Sequence, residues 1–197
     1  MRLPRLYPII DTAYLAATKQ DPVDYARRLL AAGAEILQFR HKAEFERADF
    51  RVAAEILSLT RDAGAQFVIN DRIDVALMLD ADGVHLGQED IAPSEARESL
   101  GPERLLGFST HNHDQLRAGD SEPVDYLAIG PVFATASKQN PDPVVGLETI
   151  RQVRALTPKP LVAIGGITLD RVDEVYAAGA DSVALISALD DWLRTRE

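Results

Sequence analysis

Eight short apolar runs, separated by stretches with helical spacing, follow one another along this 197-residue chain. The runs lie at 6–10, 36–40, 67–70, 83–86, 105–109, 126–130, 161–164 and 182–186. They are rich in Val, Ile, Leu and Phe, the composition of strands buried on both faces. Between the first two, Val23, Ala26, Leu29 and Leu30 fall on one helical face. Strands alternating with helices call for a parallel sheet built from crossover connections. Eight such units can close on themselves. The expected fold class is therefore α/β, a single (β/α)8 TIM barrel spanning residues 1–197 as one domain, with an open doubly wound sheet as the rival.

Glycines support this register. Ala32-Gly33-Ala34, Ala63-Gly64-Ala65 and Ala178-Gly179-Ala180 each separate a helical pattern from the next strand. A glycine just past a helix end supplies the positive φ of the turn. The longest irregular stretch, 134–145, carries Pro141 and Pro143 and reads as a loop.

Composition narrows the chemistry. The absence of cysteine excludes disulfides, thiolate metal sites and a thiol nucleophile. A formal net charge of −10 disfavours nucleic acid or an anionic membrane as partner. The apolar run after the N-terminus is too short for a signal peptide, and none approaches the roughly 20 residues of a bilayer span. A cytoplasmic location is the expectation, and a homo-oligomer is compatible with this composition.

In a parallel barrel the loops that follow the strands build the active site. Those loops begin with Asp11, Gln38/Arg40/Lys42, Asn70/Asp71, Gln88/Glu89/Asp90, Ser109/His111, Thr135/Ser137/Lys138, Gly165/Gly166 and Ser187. Every one is polar or glycine, whereas several opposite junctions read Ala-Gly-Ala. On a strand, residues 38, 40 and 42 share one face, and two cations at that spacing suit a diphosphate. Ion pairs to Glu35 or Glu44 would explain them structurally. Asp71 and Asp90 offer carboxylates of the kind that hold Mg2+, although capping of the following helices would also account for each. The hydroxyls and ammonium of Thr135, Ser137 and Lys138 suit a phosphate, as does a glycine-lined turn after the seventh strand. His85 reads as a hydrogen-bonded packing residue, and His41 points away from the pocket. Two anion sites in one barrel suggest transfer between two phosphorylated small molecules.

These motifs together resemble the thiamine-phosphate synthase family. The matching segments are Q-x-R-x-K at 38–42, VINDR at 68–72, DGVHLGQED at 82–90 and GFSTH at 107–111. GPVFATASK at 130–138, GLE at 146–148, AIGGIT at 163–168 and SVALISA at 182–188 follow in the same order. The resemblance implies condensation of 4-amino-2-methyl-5-hydroxymethylpyrimidine diphosphate with 4-methyl-5-hydroxyethylthiazole phosphate, releasing diphosphate. It implies that Gln38, Arg40, Lys42, Asn70, Ser109 and Lys138 hold the pyrimidine diphosphate, with Arg40, Lys42, Ser109 and Lys138 acting in catalysis. Asp71 and Asp90 would hold Mg2+. Thr135, Ala136, Ser137, Gly166, Ile186 and Ser187 would hold the thiazole phosphate. The implied mechanism is dissociative and needs charge stabilisation and exclusion of water more than a base. Ser137 departs from the family, which usually has threonine there. A thiazole tautomerase-like isomerase and a non-catalytic thiazole-phosphate binding protein are the alternatives.

Overall fold

The computed structural model describes residues 3–135 and 142–196. Its strands are β1 (Leu6–Asp11), β2 (Ile36–Arg40), β3 (Gln66–Asn70), β4 (Gly83–Leu86), β5 (Leu105–Thr110), β6 (Tyr126–Ile129), β7 (Leu161–Ile164) and β8 (Ser182–Leu185). All neighbours pair in parallel, and β8 returns to β1 to close the barrel. The rival open sheet is thereby excluded. The expected strands differ from the observed ones by a residue at some ends. β1 and β5 each run one residue further, and β6 stops short of Gly130, where a cis Gly130–Pro131 bond turns the chain.

The outer ring comprises α1 (Thr12–Ala17), α2 (Pro22–Ala31), α3 (Arg47–Ala63), α4 (Ile73–Leu79) and α5 (Pro93–Leu100), then α6 (His113–Asp120), α7 (Gly146–Arg154), α8 (Val172–Ala177) and α9 (Leu189–Arg194). The longer ones bury an apolar face. In α3 the buried residues are Ala53, Ile56, Leu57 and Thr60, the i, i+3, i+4, i+7 spacing of one helical face. Asp21 begins α2 by accepting from the Val23 and Asp24 amides, with Pro22 in the first turn. The three Ala-Gly-Ala joints behave as expected: Gly33, Gly64 and Gly179 have φ of 91°, 67° and 115°.

Two apolar layers result. Outward-facing strand residues such as Leu37, Phe39, Phe67 and Leu127 join the helices in one cluster. Inward-facing Tyr7, Ile9, Ile36, Val68, Leu105, Tyr126, Ala128, Val162 and Ala184 fill the barrel, with Leu3 in the same cluster. The rim at the strand N-termini is held by a repeated device. Asp82, Asp125 and Asp181 precede β4, β6 and β8, and accept from the backbone amides of Phe67, Leu106 and Leu161 at 2.7, 2.7 and 2.8 Å. Arg97 and Arg154 clamp the last two carboxylates at 2.7 and 2.6 Å. This rim is structural, and the candidate site residues lie at the other one.

Candidate active site

At the strand C-termini the barrel gathers residues far apart in sequence. Arg40, the last residue of β2, forms an ion pair with Asp11, the last residue of β1. Asp11 stands beside it in the parallel register and also caps α1, accepting from the Tyr14 amide at 2.9 Å. Lys42, just past β2, forms an ion pair with Asp71, just past β3. The carboxylate partners of Arg40 and Lys42 are therefore Asp11 and Asp71, and the sequence-based alternatives Glu35 and Glu44 are not used.

Asp71 sits in the left-handed region at φ 61°, and its amide donates to the His85 carbonyl at 2.8 Å. Burial pushes its carboxyl above the ordinary value; the Lys42 ammonium pulls it back, and the nearby Asp90 carboxyl pushes it up again. A carboxylate just past β3 and another on the loop after β4 thus lie near each other, the first beside an ammonium. Neither caps a helix: the N-cap of α4 is Arg72, which makes no side-chain cap bond, and that of α5 is Ala92. Asp90 instead accepts from the Gly87 amide at 2.6 Å, which folds the loop after β4 back on itself. Helix capping, the structural explanation available from sequence, does not apply to either residue.

Gln38, Asn70 and Ser109 line the same end of the barrel interior. Gln38 and Asn70 are buried. Gln38 Nε2 donates to the Tyr7 hydroxyl at 3.3 Å, and Ser109 Oγ lies 2.8 Å from His85 Nε2. Among the described residues Asn70 Nδ2 and Ser182 Oγ are the buried side-chain polar atoms without a hydrogen-bond partner. Asn70 is the last residue of β3, at the C-terminal end of the barrel. Gln88 donates to the Ser109 carbonyl at 2.6 Å and ties the β4 loop to β5.

On the opposite side, Gly166 follows β7, and Ile186 and Ser187 follow β8. Pro131–Phe133 is stitched to the end of β7 by bonds from Val132 to the Ile164 carbonyl and from Phe133 to the Gly165 carbonyl, both 2.9 Å. Gly166 has φ 64°, and a Cβ there would lie 2.3 Å from the Ala134 carbonyl oxygen. The glycine is thus required by the close approach of two loops, a reason not visible in a lone Gly-Gly. Thr135 ends the described part of that loop; Ala136, Ser137 and Lys138 lie outside the described residues. His111 links β5 to this loop, contacting the Gly130 carbonyl at 2.6 Å and Asp142 at 3.4 Å. His41 faces outward to Thr12 at 2.8 Å, as the strand alternation requires.

One family model matches most of the sequence. Residues 6–189 match the model described as thiamine monophosphate synthase. The chain belongs to the thiamine monophosphate synthase family. A thiamine-phosphate synthase of Koribacter versatilis is 47% identical, the match covering 96% of this chain and 90% of the relative. One of Moorella thermoacetica is 45% identical, over 85% of this chain and 80% of the relative. The solved thiamine phosphate pyrophosphorylase of Pyrococcus furiosus superposes with a TM-score of 0.85 at 34% identity, covering 98% of this chain and 92% of that one. A tryptophan synthase α-subunit, at 13% identity and a TM-score of 0.69, shares the barrel alone. Among the described residues no helix of this family member is long and apolar enough to cross a membrane.

What sequence reasoning missed is the layer under the rim. Tyr7 and Tyr126 meet inside the barrel, their hydroxyls 2.7 Å apart. A tyrosine within an apolar strand gives no sign of which face it takes until the register is known.

Proposed function

We propose that this chain catalyses the condensation of the pyrimidine diphosphate with the thiazole phosphate to give thiamine phosphate and diphosphate, with Mg2+ required. The observation that carries the reading is the Asp71–Asp90 carboxylate pair beside Lys42, with Arg40 at the end of the neighbouring strand.

The donor set fits Mg2+. Two carboxylates pressed together at a part-buried site are relieved by a cation between them, and oxygen donors suit a hard ion. Among the described residues no group of three or more His, Cys, Asp or Glu side chains converges. Asp71 and Asp90 would hold the metal, with water and substrate oxygens completing its shell, which is the usual economy of Mg2+ sites. When bound, Mg2+ supplies Lewis-acid stabilisation of a diphosphate leaving group.

The chain's own residues have separate tasks in this reading. Lys42 and Arg40 exchange their carboxylate partners for diphosphate oxygens, so charge is neutralised where it develops as the C–O bond breaks. Lys138 adds a third cation from the loop after β6. Gln38 and Asn70 offer amide groups to the pyrimidine, and Ser109 offers a hydroxyl. Gly166, Ile186 and Ser187 seat the thiazole phosphate, with Thr135 and, outside the described residues, Ala136 and Ser137 as its further partners. No residue acts as nucleophile, and an electrophile held away from water is captured by the thiazole nitrogen.

The test mixes both substrates with and without Mg2+ and follows diphosphate release. A synthase gives Mg2+-dependent diphosphate only when both substrates are present. Isomerisation of the thiazole alone would make the protein a tautomerase, and binding without turnover would make it a carrier; either result overturns the proposal.

A further inference from the structure

More polar side chains lie inside the barrel than the proposed chemistry uses. Tyr7 and Tyr126 are fully buried among Ile9, Ile36, Val68 and Leu105, and His85 is buried close above them. Their hydrogen bonds form one line. Gln38 Nε2 contacts the Tyr7 hydroxyl at 3.3 Å, and the Tyr7 hydroxyl contacts that of Tyr126 at 2.7 Å. The Tyr126 hydroxyl contacts His85 Nδ1 at 3.0 Å, and His85 Nε2 contacts Ser109 Oγ at 2.8 Å. The His85 and Tyr126 rings stack at 5.5 Å. The space for this line is provided by Gly107, where a Cβ would lie 2.1 Å from Tyr126 Cζ and 2.5 Å from His85 Nδ1.

The direction of the line follows from counting donors. An amide nitrogen only donates, so the Tyr7 hydroxyl accepts from Gln38 and gives its single proton to Tyr126. Tyr126 then gives its own proton to His85 Nδ1. A neutral imidazole that accepts at Nδ1 carries its proton on Nε2, which donates to Ser109 Oγ. The serine hydroxyl, having accepted from below, keeps its own proton for a partner above. In the reverse direction the Tyr7 hydroxyl would accept from both Gln38 and Tyr126 and leave its own buried proton without an acceptor, a costly arrangement. Burial keeps both phenols protonated, pushing Tyr7 up to about 12 and Tyr126 well above its ordinary value.

We infer that Tyr7, Tyr126 and His85 are positioning residues that commit the Ser109 hydroxyl to donating a hydrogen bond to the diphosphate at the rim. The inference rests on the reading of Ser109 as a diphosphate-binding residue. Tyr7, Tyr126 and His85 act through Ser109.

Two measurements on the full-length chain test it. Histidine-labelled protein is examined by 1H–15N correlation in mildly alkaline buffer without ligand. Wild type should show His85 as the Nε2–H tautomer, and Tyr126→Phe should release it to a mixture; an Nδ1–H tautomer in wild type would overturn the polarity. Calorimetry with Mg2+ and inorganic diphosphate then reads the consequence. Tyr7→Phe and Tyr126→Phe should each weaken binding about three- to tenfold, the worth of one hydrogen bond. Tyr126→Phe should add nothing on a Ser109→Ala background, whereas independent, additive losses would overturn the role. Wild-type protein that ignores Mg2+ and diphosphate would strike the diphosphate reading itself. Wild-type binding without coupling would strike only the positioning role.

Discussion

The ammonium of Lys42 lies on the carboxylate of Asp71, two residues 29 apart in sequence and each just beyond the end of its strand. In the proposed function the cation that neutralises Asp71 would also be the one that neutralises a bound anion. Lys42 is half exposed, so the pair is held loosely and contributes little to stability. Its weakness suits exchange: a divalent ion on Asp71 and Asp90 would compete with the ammonium for the carboxylate and release it to a diphosphate.

Asp71→Asn tests the metal site without disturbing the backbone. Asn tolerates the left-handed conformation at φ 61° far better than Ala does, so the variant should fold as wild type. Loss of several kcal/mol of charge stabilisation predicts a fall in kcat/KM of about a hundredfold or more. Circular dichroism and the thermal midpoint should stay near wild type. Undiminished turnover would remove Asp71 from the metal site.

Asp11→Ala separates two tasks of one carboxylate. The side chain caps α1 at the Tyr14 amide and also pairs with Arg40. Loss of the cap predicts about 1 kcal/mol of destabilisation, read as a fall of roughly 2–4 °C in Tm for a chain of this size. Freed Arg40 should bind diphosphate no more weakly than before, as titration calorimetry would show. A large loss of diphosphate affinity would instead mean that Asp11 holds Arg40 in its working position.

The barrel was legible because its signal is repeated. Strand content, the polar rim and the Ala-Gly-Ala joints each recur, so an error at one end of one strand left the topology intact. Arg40, Asp71 and Asp90 were legible as a group because each follows an apolar run. Their partners were not. Asp11 is legible as the start of the loop after the first strand, but nothing in sequence joins it to Arg40 until the β1–β2 register is known. Asp82, Asp125 and Asp181 give no sign of their amide-binding role in sequence, because an aspartate before a strand looks like any turn residue. The tyrosine–histidine line was hidden for the same reason, since it depends on which face Tyr7 and Tyr126 present inside the closed barrel.

Gly107→Ala should be among the most damaging single-methyl changes in the barrel. The added Cβ would sit 2.1 Å from Tyr126, with His85 also too close. Overpacking of a filled core costs roughly 1–3 kcal/mol, so Tm should fall by about 2–12 °C. Gly87→Ala is the control, because its Cβ would meet only Asp90 Oδ2, at 3.3 Å. Equal midpoints for the two variants in thermal denaturation would contradict the packing described for Tyr126.

Asp190 supplies a prediction about acid. Its carboxylate accepts from the Tyr14 and Tyr25 hydroxyls at 2.6 and 2.8 Å and from Gln20 at 3.3 Å, tying α9 to the first two helical segments. Burial alone would raise this carboxyl; the hydrogen bonds from Tyr14, Tyr25 and Gln20 outweigh burial and hold it below its usual value of 3.8. A group whose folded value is depressed stabilises the fold above its unfolded value and loses that contribution as pH falls through the folded one. Wild type should therefore be more stable than Asp190→Asn at neutral pH, and the difference should shrink as the solution is acidified below about pH 4. Denaturant titrations of both proteins across that window measure it. A difference that stays constant into acid would show that the charge on Asp190 contributes nothing and that the amide is an equal acceptor.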